Sequence, residues 1–329
     1  MHKYINDCSL PIHTCNNLFD KLIQPISSYG AEVWAPFCIN FQNVLNGKVP
    51  LFSKYLDFPG AKIQLKFCKR QLKVHDKALN LAVLGELGQL SSSVSVISSV
   101  INFWLHILRS PKDTLLYDAY LCSYQSFFHG SDDRWFKLVH HISHSFPMLR
   151  HFWDNHDASH LSGNAIHHVN RQFKCELSKA FINFYNTEIN RFLSINKTGG
   201  RYSLFSKLKK DFIFEEYLHI IKNPVHRQAY TQLRLSAHKL NIEVGRHHNV
   251  PRENRLCSSC NMGVIEDELH FVLHCTRYSS LRKSLFDSIV LDFPYFSQLT
   301  SFDQLIWLLT EVSIAPRVAK FIHESLECR

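Results

Sequence analysis

The sequence predicts an all-α protein, an irregular array of many helices with a small Cys-Cys-His-Cys zinc knuckle near the C-terminus. Three observations carry that expectation. Apolar residues recur at helical spacing in stretch after stretch, as in Val94, Ile97, Ile101, Trp104, Leu105 and Leu108. Glycine and proline are scarce, at 11 each in 329 residues, which argues against a strand-and-turn protein. Cys257, Cys260, His270 and Cys275 stand in the order Cys-x2-Cys-x9-His-x4-Cys, a spacing of ligands rather than of core residues.

Composition narrows the class further. Apolar residues make up 45% of the chain, enough for a buried core, and the length suits two ordinary domains. A net charge of +9 favours a polyanionic partner. The ten cysteines show no disulfide rhythm, so a reducing, nuclear or cytoplasmic compartment is expected. The opening MHKYINDCSLPIH lacks the apolar run of a secretion signal. Val94 to Leu108 is the longest apolar stretch; it is too short to span a bilayer and is interrupted by Asn102 and His106.

In chain order, Leu18, Leu22 and Ile26 share one face of a first helix, with Phe19 and Ile23 beside them and Pro25 as a kink or stop. Tyr29, Val33 and Trp34 read as bulky anchors around Gly30. Ile63 to Leu72 reads as a helix with Ile63, Phe67 and Leu72 inward and Lys66, Lys69 and Arg70 outward. Gly85 and Gly88 punctuate the next stretch, and Ser91 to Ser93 offer caps for the helix that carries the Val94–Leu108 stripe. Leu115 to Phe128 and Arg134 to Ile142 follow as helices.

Eight histidines fall between His140 and His168; with no thiolate or carboxylate at ligand spacing, they read as a polar connector. A long helix is expected over Asn170 to Ser194, with Phe173, Leu177, Phe181, Phe184 and Phe192 inward, ending at Thr198-Gly199-Gly200. Asn223 and Pro224 start a helix that buries Val225, Ala229, Leu233 and Leu240. Beyond the cysteine array, Tyr278 to Leu291 forms an amphipathic helix with Leu281, Leu285, Ile289 and Val290 inward. Phe302 to Leu309 and Pro316 to Leu326 complete the set.

Positive charge gathers toward the array. Lys207, Lys209, Lys210, Arg227, Arg234, Lys239, Arg246, Arg252 and Arg255 are the candidate contacts to RNA or DNA, through the phosphate backbone rather than the bases. Within the array, three thiolates and one imidazole make the donor set of a closed, structural Zn²⁺ site with no position left for water. His270 and Cys275 are five apart and cannot both leave one regular helical face, so Cys275 is expected where the helix ends or loosens. His274, one turn from His270, is the rival fourth ligand. Glu266, Asp267 and Glu268 suit the start of the helix that carries His270.

Several of these phrases resemble one family. LFDKLIQPISSYGAEVW and the LGELG run are similar to the segment after the polymerase palm, leading into the helical thumb, of LINE-type reverse transcriptases of non-LTR retrotransposons. RLSAHKLNIEVGR, PRENRLCSSC and IEDELHFVLHC resemble the tail of the same family, where a Cys-Cys-His-Cys knuckle follows the thumb and a connector. The resemblance covers both ends of residues 10–290, and the middle matches loosely. It implies a thumb-like region over 1–112, a helical connector over 113–225, a basic helix plus knuckle over 226–291 and closing helices over 292–329. It also implies that Cys257, Cys260, His270 and Cys275 are the matching ligands, that template RNA or target DNA is the partner, and that the palm of a longer parent chain is another.

Catalysis is not expected. A reverse transcriptase needs paired aspartates on a hairpin to hold two Mg²⁺ ions. The sole Asp-Asp, Asp132-Asp133, lies after the thumb-like stretch in FFHGSDDRW, without flanking β-branched residues. Motifs of nucleotide hydrolases, serine hydrolases, metalloproteases and zinc deaminases are also missing. The sequence therefore reads as a non-catalytic nucleic-acid-binding fragment. The alternative is a retrotransposon-derived protein that docks helices and binds no nucleic acid.

Overall fold

The computed structural model describes residues 10–38, 52, 58–195 and 203–329, with backbone only at 192–195 and 203. The fold is all-α. Among the described residues there is no β-strand, only two isolated antiparallel bridges, Leu87 with Phe214 and Leu256 with Ile265. Among these residues no helix is long and apolar enough to cross a membrane. The stop expected at Thr198-Gly199-Gly200 and the placement of the Phe192 side chain lie outside what is described.

The chain forms two compact units, each drawn from separated stretches. One comprises 16–64 and 90–186. Its centre is the helix Ser92–Arg109, whose stripe of Val94, Ile97, Ile101, Trp104, Leu105 and Leu108 is buried as its spacing requires. Ser91 caps that helix through the backbone N–H of Ser93. Thr114 and Asp133 do the same for Leu115–Phe128 and Arg134–Ser145. Asp133 is thus a helix cap, and Asp132 pairs with Lys137. The long helix Gly163–Ile195 sends Phe173, Leu177 and Phe181 into this core, with Phe146 set edge-on to Phe173 at 5.2 Å.

Two expectations for this unit are corrected. The row Leu18, Leu22 and Ile26 faces out, with Ile26 75% exposed, while Phe19 is buried. A wide π-turn over Phe19–Ile23 adds a residue to the winding and rotates the row away from the core. The supposed anchors Tyr29 and Val33 are exposed as well; Trp34 packs edge-on to Phe58 and donates its indole N–H to the Tyr29 carbonyl. The histidines of the middle also divide. His140 and His144 lie with ring centroids 4.0 Å apart and planes tilted by 35°, whereas His156 follows a helix that ends at Asn155 and adopts left-handed φ.

The other unit comprises 1–15, 65–89 and 187–329. Here the helix Pro224–Arg234 packs against Ala315–Glu327, and Asn223 caps the former through Val225 and His226 N–H. Ala229, Leu233 and Leu240 are buried as expected, but Val225 in the first turn is exposed. Leu285 and Ile289 of Ser279–Asp292 point inward, whereas Val290 turns out. Lys69, expected outward, is buried with its ammonium on the Asp76 carbonyl at 2.5 Å. Gly88 holds φ +57°, and a Cβ there would sit 2.4 Å from the Phe214 nitrogen; only glycine allows the chain past this crossing.

Candidate metal centre

The array is built on a short hairpin followed by a helical turn. Leu256 bridges Ile265, Cys257 N–H donates to Val264 O at 2.8 Å and Glu266 N–H to Arg255 O at 2.9 Å. Gly263 takes the left-handed φ of +65° between the two arms. Inside the loop, backbone N–H groups of Ser259 and Cys260 aim at the Cys257 sulfur, and that of Met262 at Cys260. Asp267 caps the next turn by accepting the His270 N–H at 2.9 Å.

From His270 to His274 the chain winds as a π-turn, closed by the Cys275 N–H on the His270 carbonyl at 2.7 Å. A turn closed after five residues brings the fifth side chain round to where an α-turn brings the fourth. Cys275 therefore returns beside His270, and it takes extended backbone angles at the helix end. This is the loosened helix that the five-residue spacing required. His274, the rival ligand, is exposed and points elsewhere; Cys275 is fully buried.

The four donor atoms lie within 4.8 Å of one another. Cys257 Sγ and Cys275 Sγ are 3.9 Å apart, and Cys260 Sγ and His270 Nε2 are 3.4 Å apart. Tetrahedral Zn²⁺ with ordinary bond lengths sets sulfurs about 3.8 Å apart and sulfur from nitrogen about 3.6 Å apart. A disulfide would need sulfurs at about 2.0 Å. The separations therefore fit a shared ion and not a cystine, and four protein donors close a tetrahedral site to water.

Burial alone works against the thiolate form of two of these sulfurs and in favour of a neutral imidazole. Burial pushes the Cys257 thiol up to about 12 and raises Cys275 too. Cys260 is lowered, because N–H and S–H donors outweigh the effect of burial. Burial lowers His270, keeping its imidazole neutral as a ligand must be. A cation at the centre would reverse the burial penalty on the thiolates.

The surroundings that hold the array were not foreseen from sequence. Arg282 donates from Nε to Val272 O at 2.8 Å and from Nη2 to Cys275 O at 2.6 Å, clamping the end of the π-turn. Glu266 does not open the helix; it is buried, accepts the Asn241 N–H at 2.7 Å and is bridged by Arg329 at 2.8 and 3.0 Å. Glu268 likewise turns inward to His238 at 3.0 Å. No spacing rule links Glu266 to a partner 63 residues away.

The nine basic candidates scatter. Arg234 is 1% exposed, bonded to Glu86 at 2.6 Å, to Glu215 at 2.9 Å and to the Leu309 carbonyl. Lys209 is buried on Glu215 and Ile213 O, each at 2.5 Å. Neither can reach a phosphate, so both leave the list of contacts. Arg246 pairs with Glu243; Arg255 is pinned by Val250 O and Ile242 O, and Arg227 by Ile221 O. Arg252 is half-buried, 3.9 Å from Asp267. Lys207, Lys210 and Lys239 are exposed, with Lys207 lying 4.1 Å over the Phe302 ring.

No protein-family model, curated protein or solved structure matches this chain.

Proposed function

We propose that the chain holds one structural Zn²⁺ at Cys257, Cys260, His270 and Cys275 and uses the unit around it to bind RNA or DNA through phosphates. In this reading it is a non-catalytic C-terminal region of a LINE-type reverse transcriptase. The observation that carries the metal half is the convergence of four donors within 4.8 Å, with 3.9 Å between two sulfurs and 3.4 Å from sulfur to nitrogen. The net charge of +9 and the outward Lys207, Lys210 and Lys239 support the nucleic-acid half. A structural ion of this kind is worth about 10–16 kcal/mol in small peptides, and its role here is to fix the fold around it.

Elemental analysis of the purified chain tests the first half: one zinc per chain is expected, and none after Cys257→Ser with Cys260→Ser. A salt series of binding to single-stranded RNA and duplex DNA tests the second. Affinity should fall by about 0.7 to 0.9 log units per phosphate contact for each log unit of salt. Binding that ignores salt, or none at low salt, rejects it.

A second reading is favoured by the outward row Leu22, Ile26, Tyr29, Val33 and Phe37, all more than half exposed. Such a face fits a protein that docks helices and binds no nucleic acid. Light scattering of the wild type beside Ile26→Glu with Tyr29→Glu separates the two: only this reading expects an assembly that the substitutions dissolve.

A further inference from the structure

We propose that a small polar cleft, where the end of the helix Pro59–Gln71 meets Pro224–Arg234, receives a phosphate oxygen of a nucleic-acid backbone; this rests on the nucleic-acid reading above and gives it a contact point. The cleft lies within one unit; its polar wall is Gln71, Lys73, Arg227, Gln228 and Thr231, set beside four apolar residues, with no carboxylate among them. Two cations and two carboxamides around one opening form a site for an anion.

Three features support this reading. Gln71 turns both amide atoms away from solvent, with the Cys15 thiol as their weak polar neighbour. A buried carboxamide with so weak a partner gains from a polar group that meets it. Lys73 holds left-handed φ of +51° just past the helix end, where glycine or asparagine is the usual choice. Gln232 Nε2 fixes it there by donating to Lys73 O at 2.7 Å. A strained lysine kept in a glycine's place points to a use for its charge. Arg227 is steadied by one bond, from Nη1 to Ile221 O at 3.0 Å, which leaves its other guanidinium donors for a ligand.

Size then selects the ligand. The cleft is small and open to solvent, with room at its centre for about one oxygen-sized group. A projecting phosphodiester oxygen fits, and it would be read without regard to sequence.

The test is binding of the full chain to single-stranded RNA and duplex DNA of mixed sequence over a salt series, for wild type, Lys73→Gly, Arg227→Gln and the double variant. Lys73→Gly removes the charge while relieving the left-handed backbone, so its melting temperature should hold or rise and loss of fold cannot mimic loss of binding. The double variant should bind about tenfold more weakly and lower the salt slope by about 0.7 to 0.9, the share of one phosphate contact, and each single variant should lower it by part of that. Lys320→Gln, on the Ala315–Glu327 helix, is the surface control and should match wild type. If wild type binds and the cleft variants match it in affinity and slope, the cleft is rejected while the nucleic-acid reading stands. If wild type binds neither polymer, both fall. Inorganic phosphate alone is the last arm: phosphate that docks at Lys73 in a wild type that ignores both polymers makes this a small-anion site and overturns the assignment.

Discussion

Arg234 and Glu86 meet 148 residues apart in sequence, guanidinium to carboxylate at 2.6 Å, with both side chains closed off from solvent. Glu215 and the Leu309 carbonyl take further guanidinium donors, the Arg234 guanidinium lies 4.9 Å over the Tyr217 ring, and Tyr217 O–H reaches Glu86 at 3.1 Å. Four segments of one unit are thereby tied to a single side chain.

Breaking that tie from either end leaves a buried charge unmatched. Arg234→Met and Glu86→Gln are each expected to cost about 3–5 kcal/mol in urea unfolding. A double-mutant cycle should return a coupling of more than about 1 kcal/mol. Additive losses would mean that the pair does not interact.

Metal removal is expected to act on the knuckle's unit. Chelation should release one zinc and free three reactive thiols, with a lowered melting temperature. Cys275→Ser should abolish zinc content, whereas His274→Ala, which alters an exposed ring outside the cluster, should retain one equivalent. The reverse pattern would assign the fourth ligand to His274.

Acid should weaken the unit that carries the histidines. Burial, aided by the nearby His144 and His141, holds His140 down at about 4, and burial also lowers His141 and His156. Unfolded, each ring takes a proton near its ordinary value of about 6.5. The unfolded chain therefore binds more protons between those values. The contribution of His140 to stability is full above about pH 6.5 and is lost as pH falls through 4, and the lowered His141 and His156 act in the same direction. For His140, half-buried, the loss from pH 7 to 5 is about 1 kcal/mol after discounting for solvent. Urea midpoints across that range check it; His140→Gln should flatten part of the slope.

Gly88→Ala tests the crossing with Phe214. The left-handed φ costs about 1 kcal/mol, and the clash with backbone adds to it, for about 2–3 kcal/mol in all. A denaturation midpoint within error of wild type would show that the crossing can move aside.

The sequence shows the ligand array plainly because its signal is local: thiols three apart on a knuckle, and a five-residue step that forbids regular helix before Cys275. Caps were legible for the same reason, as at Asn223 and Ser91. Arg234 was misread because its partner Glu86 comes from a distant stretch of chain, and Lys209 because Glu215, six residues on, meets it across a turn rather than at a helical spacing, so a basic residue that packs inside looks like one that faces water. The Leu18, Leu22 and Ile26 row failed differently. Its period is helical, but the π-turn beneath it breaks the count, and no residue in Phe19–Ile23 announces a π-turn.

The wide turn at His270–His274 also says which length change the array can survive. Excising the exposed His274 would shorten the step to the third sulfur by one and let ordinary α winding deliver it to the same side as the imidazole. A regular-helix cousin of this array would carry three residues in that interval instead of four, and both lengths would cradle the same ion.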